Sequence, residues 1–218
     1  MRIHLNLTPN TRIVPFNYQQ NLVGSFHRWL GKNTLHDSLS LYSLSWLRKG
    51  KAVKNGLSFD NGAQWFISSI DTDMIRKLIM SIIEDPSVNW GMEVQEITIQ
   101  QEPKFTNEAY FKVCSPVFIK RTMSKQIKYY LYSDPESGLL MTETLQHKLK
   151  SVGLNDSGVE VRFDSSYPNP QTKKITFNNI DSRASLCPVI IKGTPEQIAF
   201  AWNVGVGNST GIGFGSLL

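Results

Sequence analysis

Cysteine and histidine are both scarce in this sequence of 218 residues, which contains two cysteines and four histidines. Cys114 and Cys187 show no C-x-x-C spacing and lie in apolar, strand-like runs, so we expect both thiols to be buried and reduced. No H-E-x-x-H pattern, no cluster of histidine and cysteine and no pair of carboxylates argues for a bound metal. The sequence therefore predicts chemistry that uses no metal and no other cofactor.

Long apolar runs are missing as well. No stretch approaches the roughly 20 residues needed to span a bilayer, and the first residues lack the charged and then apolar pattern of a signal peptide. These absences predict a cytoplasmic protein without a membrane partner. The chain is long enough for one large domain or for two small ones of about a hundred residues each.

Acidic residues are nearly absent from the first 56 positions, where eight Lys and Arg residues stand against the single acid Asp37. A second segment without any acid runs from Tyr110 to Ser133 and holds five basic residues. Each segment alone is typical of an ordinary solvated surface. Two such segments in one chain, beside a glycine-rich stretch, favour an electrostatic footprint for a polyanion.

Glycine is concentrated near the end of the chain, with five glycines in the eleven residues from Gly205 to Gly215. Such a stretch is poor core material, and it predicts a loop whose backbone N–H groups can be presented to an oxyanion. It matches neither the Walker pattern nor a dinucleotide fingerprint. We interpret it as a contact for the phosphates of a polymer.

Hydrophobic periodicity predicts the order βαββαβ in each half of the chain. In the first half, the predicted strands are 1–8, 39–47, 63–70 and 94–99, and the predicted helices are 18–32, stopped by Gly31, and one capped by Asp71 or Asp73 and ended by Asp85-Pro86. In the second half, the predicted strands are 110–119, 159–163, 174–178, 186–192 and a closing strand 213–218, and the predicted helices are 135–152 and 196–202, the latter capped by Thr194 with Pro195 at its first position. The sequence thus predicts an α+β fold of two tandem ferredoxin-like units, residues 1–102 and 103–218.

Four motifs add to this architecture: Val14-Pro15-Phe16-Asn17-Tyr18, Leu35-His36-Asp37, Leu41-Tyr42-Ser43-Leu44 and the glycine-rich stretch. With them, the chain resembles the repeat-associated RNA proteins of CRISPR systems. Within that group it resembles the Cas endoribonucleases that cut CRISPR precursor RNA inside each repeat, the sixth Cas family. The resemblance covers essentially the whole chain, and its most specific part is the closing Gly-Phe-Gly after the Gly-Asn-Ser-Thr turn.

The resemblance implies that the protein cuts RNA without a metal, by attack of the RNA's own 2′-hydroxyl, and leaves a 2′,3′-cyclic phosphate and a 5′-hydroxyl. It implies CRISPR repeat RNA as the partner, with other Cas proteins as further candidates. The oligomeric state stays open between monomer and homodimer.

His27 and His36 fall where the resemblance places active-site residues, and an unperturbed imidazole pKa near 6.5 suits both a base and an acid. The alternative is structural, with His27 bordering the apolar stripe of its helix and His36 exposed in a loop. Several relatives carry a lysine a few residues after the histidine motif, but residues 37–47 contain none. The group that stabilises the phosphorane is therefore left open among the neighbouring cations.

RNA contacts are predicted at the two basic segments and at the glycine-rich loop. The predicted RNA-binding residues are Arg28, Lys32, Arg48, Lys49, Lys51, Lys54, Lys120, Arg121, Lys125, Lys128, Gly207, Asn208, Ser209, Thr210 and Gly211. Two other interpretations stay open. One is a non-catalytic RNA-binding subunit of the same superfamily, and the other is a scaffold that assembles with other Cas proteins through its sheet edges.

Overall fold

The first half of the chain folds into one antiparallel sheet with two helices on one face. The computed structural model describes residues 1–33, 39–123 and 126–218. The elements of this half are β1 (Arg2–Leu7), α1 (Gln19–Leu30), β2 (Tyr42–Leu44), β3 (Lys51–Val53), β4 (Gly56–Ser58), β5 (Ala63–Ser69), α2 (Thr72–Glu84) and β6 (Val94–Gln100). The sheet has the order β2-β5-β1-β6, and β3 and β4 form a separate hairpin. This is the predicted ferredoxin-like arrangement.

Local signals in the sequence set the boundaries of these elements. Alternation along β1 leaves Ile3 and Leu5 fully buried. Helix α1 ends where Gly31 adopts a φ of 64°, a conformation that costs glycine little. The Asp71 carboxylate caps α2 by accepting from the amides of Asp73 and Met74, which satisfies two donors that the helix leaves open. The predicted strand over 39–47 is limited to β2.

The second half repeats the order with a smaller sheet and two inserted hairpins. Its elements are β7 (Glu108–Phe111), β8 (Ile119–Met123), β9 (Gln126–Tyr130), α3 (Ser137–Ser151), β10 (Glu160–Phe163), β11 (Gln171–Phe177), β12 (Ile180–Leu186), β13 (Val189–Lys192), α4 (Pro195–Val204) and a 3₁₀ turn (Thr210–Ile212). The sheet order is β10-β13-β7. The fold is therefore α+β, with two ferredoxin-like units in tandem.

Three predictions for the second half need correction. The opening strand does not run from 110 to 119, because β7 ends at Phe111 and the chain re-enters a strand only at β8. The predicted strand over 174–178 is the first arm of a hairpin, since Asn178 and Asn179 have φ of 49° and 59° and form a two-residue turn of the kind that closes hairpins. The closing strand over 213–218 is reduced to a single bridge between Val113 and Leu217.

Two main clusters of buried side chains form the core. One lies between the first sheet and helices α1 and α2, and the other between the second sheet and helices α3 and α4. Ile212 and Phe177 of the second half pack against the first cluster, so the halves share packing. Cys187 is buried as expected, but Cys114 is only half-buried, and both thiols are free. None of the helices in the described ranges is long and apolar enough to cross a membrane.

Candidate functional site

The residues from Gly205 to Gly215, here the glycine segment, lie against the first half of the molecule. A Cβ on Gly211 would stand 2.6 Å from the Ser40 Oγ and 2.7 Å from the Tyr42 hydroxyl, so no larger residue fits without a shift. The expectation that this stretch stays outside the core is wrong for three side chains, because Val206, Thr210 and Phe214 are buried. The close approach is therefore made by the protein's own atoms, and contact with phosphate stays a prediction.

Aromatic rings connect the end of α1 to the glycine segment. His27 is half-buried, and its ring meets the ring of Phe26 edge-on at 5.1 Å. Phe26 in turn stacks on Tyr42 at 5.0 Å. The Tyr42 carbonyl accepts a hydrogen bond of 2.9 Å from the Thr210 hydroxyl. The helix turn that carries His27 is thus fixed to the glycine segment through two packed rings.

The surroundings of Tyr42 keep its hydroxyl neutral. Burial raises the pKa of Tyr42 to about 12, although a hydrogen bond with Ser40 opposes the shift. At neutral pH the group beside Gly211 is therefore an uncharged hydroxyl that can donate or accept.

Two predicted site residues, His36 and Lys125, lie outside the described residues. The proximity of His27 and His36 stays a prediction for that reason.

The last carbonyls of α4 collect donors from three elements. The Trp202 carbonyl accepts from the Arg2 guanidinium at 2.7 Å, and the Asn203 carbonyl accepts from the Ser43 hydroxyl at 3.0 Å. The Val204 carbonyl accepts from the Lys148 ammonium at 3.1 Å. Since the carbonyl end of a helix carries partial negative charge, it is a favourable place for cations.

Both cations at this helix end are buried. Arg2 is 1% exposed and Lys148 is 2% exposed, and burial lowers the pKa of Lys148 to about 7 and that of Arg2 to about 9. The Arg2 guanidinium lies between the rings of Phe66 and Trp202, 4.2 and 3.7 Å from their centroids. A buried cation is usually paired with a carboxylate. Here stacking on two rings and a hydrogen bond to a helix carbonyl hold the guanidinium instead.

Lys148 is a site-supporting residue that the sequence prediction missed. Its ammonium donates to the Thr210 hydroxyl at 2.9 Å as well as to α4, so it holds the glycine segment against the helix that precedes it. The signal was present in the spacing, because Lys148 lies three residues after Leu145 and beside Leu149 on the buried side of α3. The apolar stripe of a helix faces the core, so this position indicated that Lys148 is buried.

The first group of predicted RNA contacts divides into two places. Lys51 and Lys54 are exposed on the β3–β4 hairpin, with Lys49 exposed and Arg48 half-buried just before it. Arg28 instead forms an ion pair of 3.3 Å with Asp85 after α2. Lys32 is exposed after the end of α1. The β3–β4 hairpin therefore carries the larger share of these cations.

The second group lies on the β8–β9 hairpin. Arg121 and Lys128 face each other in the register of the two strands. Arg121 is tied to α3, donating to the Leu140 carbonyl at 2.7 Å and pairing with Glu143 at 3.1 Å. Lys120 and Lys128 are exposed.

Asn208 joins this second hairpin to the glycine segment. Its amide N–H donates to the Phe118 carbonyl at 2.7 Å, and its side-chain oxygen accepts from the Lys120 amide at 2.9 Å. Gly207 also packs closely against Phe118, because a Cβ on Gly207 would stand 2.5 Å from the Phe118 carbonyl oxygen. The structure thus brings the glycine segment, the basic β8–β9 hairpin and the His27 end of α1 into one contiguous region.

Solved structures share this fold over the whole chain. The structure described as "Characterization of a Cas6-related gene from Pyrococcus furiosus" is 19% identical with a TM-score of 0.86, and the match covers 100% of this chain and 97% of that one. "An RAMP protein binding different RNA substrates" is 20% identical with a TM-score of 0.85, covering 100% and 98%. "CRISPR associated protein Cas6" is 23% identical with a TM-score of 0.83, covering 100% and 98%.

Comparison of the sequence with curated proteins and family models gives a match to a family model. No curated protein matches the chain. The family model described as "CRISPR associated protein Cas6, C-terminal" matches residues 100–217, which is more than half of the chain and includes α3, α4 and the glycine segment. The chain therefore belongs to the Cas6 family.

Proposed function

We propose that the protein is an endoribonuclease that binds CRISPR precursor RNA and cuts it within the repeat without a metal ion. The observation that carries this proposal is the row of packed rings that fixes the His27 turn of α1 against the glycine segment. Membership of the Cas6 family supports CRISPR RNA as the substrate, and one relative of the same fold is described as binding different RNA substrates.

The proposed reaction needs two proton transfers on opposite sides of one phosphorus atom. The 2′-oxygen forms a bond to phosphorus while a base takes its proton, and the bond from phosphorus to the 5′-oxygen breaks while an acid donates a proton to that oxygen. The products are a 2′,3′-cyclic phosphate and a 5′-hydroxyl. His27 and His36 are the proposed pair, with the order of base and acid open, because neutral and protonated imidazole coexist near pH 7.

RNA binding is proposed to rest on cations and backbone amides. The exposed lysines of the β3–β4 and β8–β9 hairpins would contact phosphates, since such contacts supply affinity without reading sequence. The Ser209 amide makes no hydrogen bond within residues 1–33, 39–123 and 126–218, and because Ser209 is only half-buried whereas Gly207 is buried, the Ser209 amide is the one proposed to contact an oxyanion. The phosphorane would be stabilised by a neighbouring cation, and this role is open among Arg28, Lys32, Lys49, Lys51 and Lys54, all of which are exposed.

The chemistry is tested with a repeat RNA from the CRISPR array of the same genome. In EDTA, we expect cleavage at one position and products that end in a 2′,3′-cyclic phosphate and a 5′-hydroxyl. A substrate with a 2′-deoxynucleotide at the cut position should bind equally well and remain intact. Cleavage that needs a divalent ion, or that survives the 2′-deoxy substitution, would reject the mechanism.

The rival function is a non-catalytic RNA-binding subunit. Tight binding of the same repeat without any cleavage, over hours and at pH 6 to 8, would establish it in place of the nuclease.

A further inference from the structure

A small cavity of about 240 Å³ lies where the β11–β12 hairpin approaches the start of α1. Phe16, Gln19 and Trp46 form the wall from the first half, and Lys174 and Thr176 of β11 form the opposite wall. The volume is below the range of about 300–1,000 Å³ that is usual for drug-sized ligands. The cavity therefore has the size to hold a single planar group.

Phe16 gives the cavity an exposed aromatic surface. Phe16 has a large apolar side chain, yet the residue is 58% exposed. The backbone two positions before it is held in place, because Val14 pairs with Leu57 through two backbone hydrogen bonds. An exposed ring on a fixed backbone is a stacking platform for a nucleobase, since every base offers an aromatic face.

Gln19 gives the cavity an unsatisfied polar atom. The residue is 5% exposed, and its side-chain oxygen is buried without a hydrogen-bond partner in the part of the chain that the structure describes. Buried acceptors of this kind are rare in folded proteins and are costly to leave unpaired. A turn of the Gln19 amide toward the cavity would let an N–H group on the edge of a bound base supply the missing donor.

Positive charge near the cavity comes from Lys174, which lines it, and from the cross-strand neighbour of Lys174, Arg183 on β12. They face each other across the hairpin, and both are exposed. Asp181 pairs with Lys174 at 2.7 Å, which leaves one cation in excess over this acid. A phosphate attached to the bound nucleoside would find this excess charge favourable.

Trp46 connects the cavity to the candidate site. Its indole N–H donates to the Gly213 carbonyl of the glycine segment at 2.9 Å, so the cavity and the segment share a wall. We propose that this cavity holds one unpaired nucleobase of the bound RNA, stacked on Phe16, with its polar edge at Gln19 and its phosphate at Lys174. The proposal rests on the proposed function, because it requires that RNA lies along the glycine segment.

The test measures base insertion directly. Repeat RNAs are prepared with 2-aminopurine at one unpaired position at a time, and eight-nucleotide RNAs of each single base serve as short probes. With the unmodified protein, we expect a change of fluorescence at one position of the repeat and a preference for one base among the short RNAs.

Two variants separate the contributions of the ring and the amide. Phe16→Ala should weaken binding of the preferred short RNA by about 5- to 150-fold, the range measured for loss of one stacked base, and should abolish the fluorescence change. Gln19→Leu should lower the base preference while the melting temperature stays equal or rises, because an apolar side chain of similar size relieves the unpaired oxygen. Tyr110→Ala, which removes an exposed ring on β7 outside the cavity, is the matched control and should change neither quantity.

The outcomes distinguish this proposal from the proposed function. If the unmodified protein neither binds nor cuts any repeat RNA, both are rejected. If it binds and cuts repeat RNA while Phe16→Ala and Gln19→Leu leave the short-RNA affinities, the base preference and the fluorescence unchanged, the base site is rejected and the nuclease stands. A loss of RNA affinity in Gln19→Leu that accompanies a lower melting temperature would also reject the base site, because it would indicate a structural role.

Discussion

The two halves of the molecule share one strand and helix order but differ in how completely they use it. The first half builds a four-stranded sheet with β1 at its centre, and its helix α1 ends cleanly beside the glycine segment. In its described residues, the second half keeps three strands paired in one sheet and two isolated bridges, and adds two hairpins and the glycine segment. The first half therefore places most of its strands in one sheet, whereas the second half carries more of its chain outside its sheet.

The contact between the halves depends on helix α4. Arg2 comes from the central strand of the first sheet, Lys148 comes from helix α3 of the second half, and both donate to carbonyls of the same helix end. A helix terminus can accept several donors without a buried carboxylate. One terminus thus positions the glycine segment relative to both sheets.

The largest expected effect comes from removing the His27 imidazole, the proposed catalytic group of the first half. His27→Ala should lower the cleavage rate about 10²–10⁴-fold, because an acid or base is lost from the reaction. RNA affinity and the melting temperature should stay within error of the unmodified protein. The rate is measured under single-turnover conditions.

His147→Ala is the matched control for this change, since His147 is exposed on α3. It should cut at the original rate. Equal losses in the two variants, or a drop in affinity that accounts for the loss in His27→Ala, would contradict a catalytic role for His27.

Replacing one glycine by alanine in each half should change the stability of the protein in opposite directions. Gly24→Ala in α1 meets no atom within 4 Å and should stabilise the protein by up to about 1 kcal/mol, because alanine is the better helix former. Gly211→Ala meets Ser40 and Tyr42 below 3 Å and should destabilise it by about 1–3 kcal/mol through overpacking. Urea unfolding of both variants measures the two effects. No destabilisation by Gly211→Ala would show that the glycine segment is not closely packed, and destabilisation by Gly24→Ala would show that α1 has no room for a methyl group at that position.

Lys148 should leave a signature in the pH dependence of stability. Because burial lowers its pKa from 10.5 to about 7, the unfolded chain holds a proton between pH 7 and 10.5 that the folded protein lacks. Stability therefore rises with pH across this window, by at most about 1.4 kcal/mol per pH unit. Lys148→Met should remove this contribution, and chemical unfolding at pH 7, 8 and 9 measures it.

Lys150 is exposed on the same helix, so Lys150→Met is the control for the change of side chain. Parallel pH profiles of Lys148→Met and the unmodified protein would indicate that Lys148 is charged throughout. Arg2 remains in both proteins, so its own contribution cancels in the comparison.

The smallest expected effects concern the two basic hairpins. Lys51→Ala in the first half and Lys128→Ala in the second should each weaken RNA binding across sequences and lower the salt slope by about one unit or less. Lys77→Ala, an exposed lysine on α2, should leave the slope unchanged. A slope that changes for only one hairpin would assign the RNA track to that half.

The first half was predicted more completely than the second, for a physical reason. Its elements are set by local signals: alternation in β1, the stripe of α1, Gly31, and Asp71 as a cap. In the second half, the β11–β12 hairpin closes through Asn178 and Asn179, and this pair signals a turn less strongly than Asn-Gly. The last strand shrinks to one bridge because glycines occupy the positions where strand residues would pair.

The contacts that support the candidate site could not be predicted from the sequence. The charge distribution and the glycine-rich stretch supplied the predicted RNA contacts, the resemblance supplied His27 and His36, and these assignments stay predictions. The packed rings of Phe26 and Tyr42 and the contact of Lys148 with Thr210 join segments more than 60 residues apart or in different elements. Such contacts depend on tertiary geometry, which no local pattern encodes.

The two hydrogen bonds of Asn208 have a mechanical consequence. Through them the basic hairpin and the neighbouring glycines form one unit, whose other side rests on Ser40 and Tyr42. Tension applied to a strand gripped at Lys120 would travel through Asn208 toward the end of helix α1. In the proposed function, a remote hold on the RNA and the alignment of its scissile bond would then be coupled through a single residue.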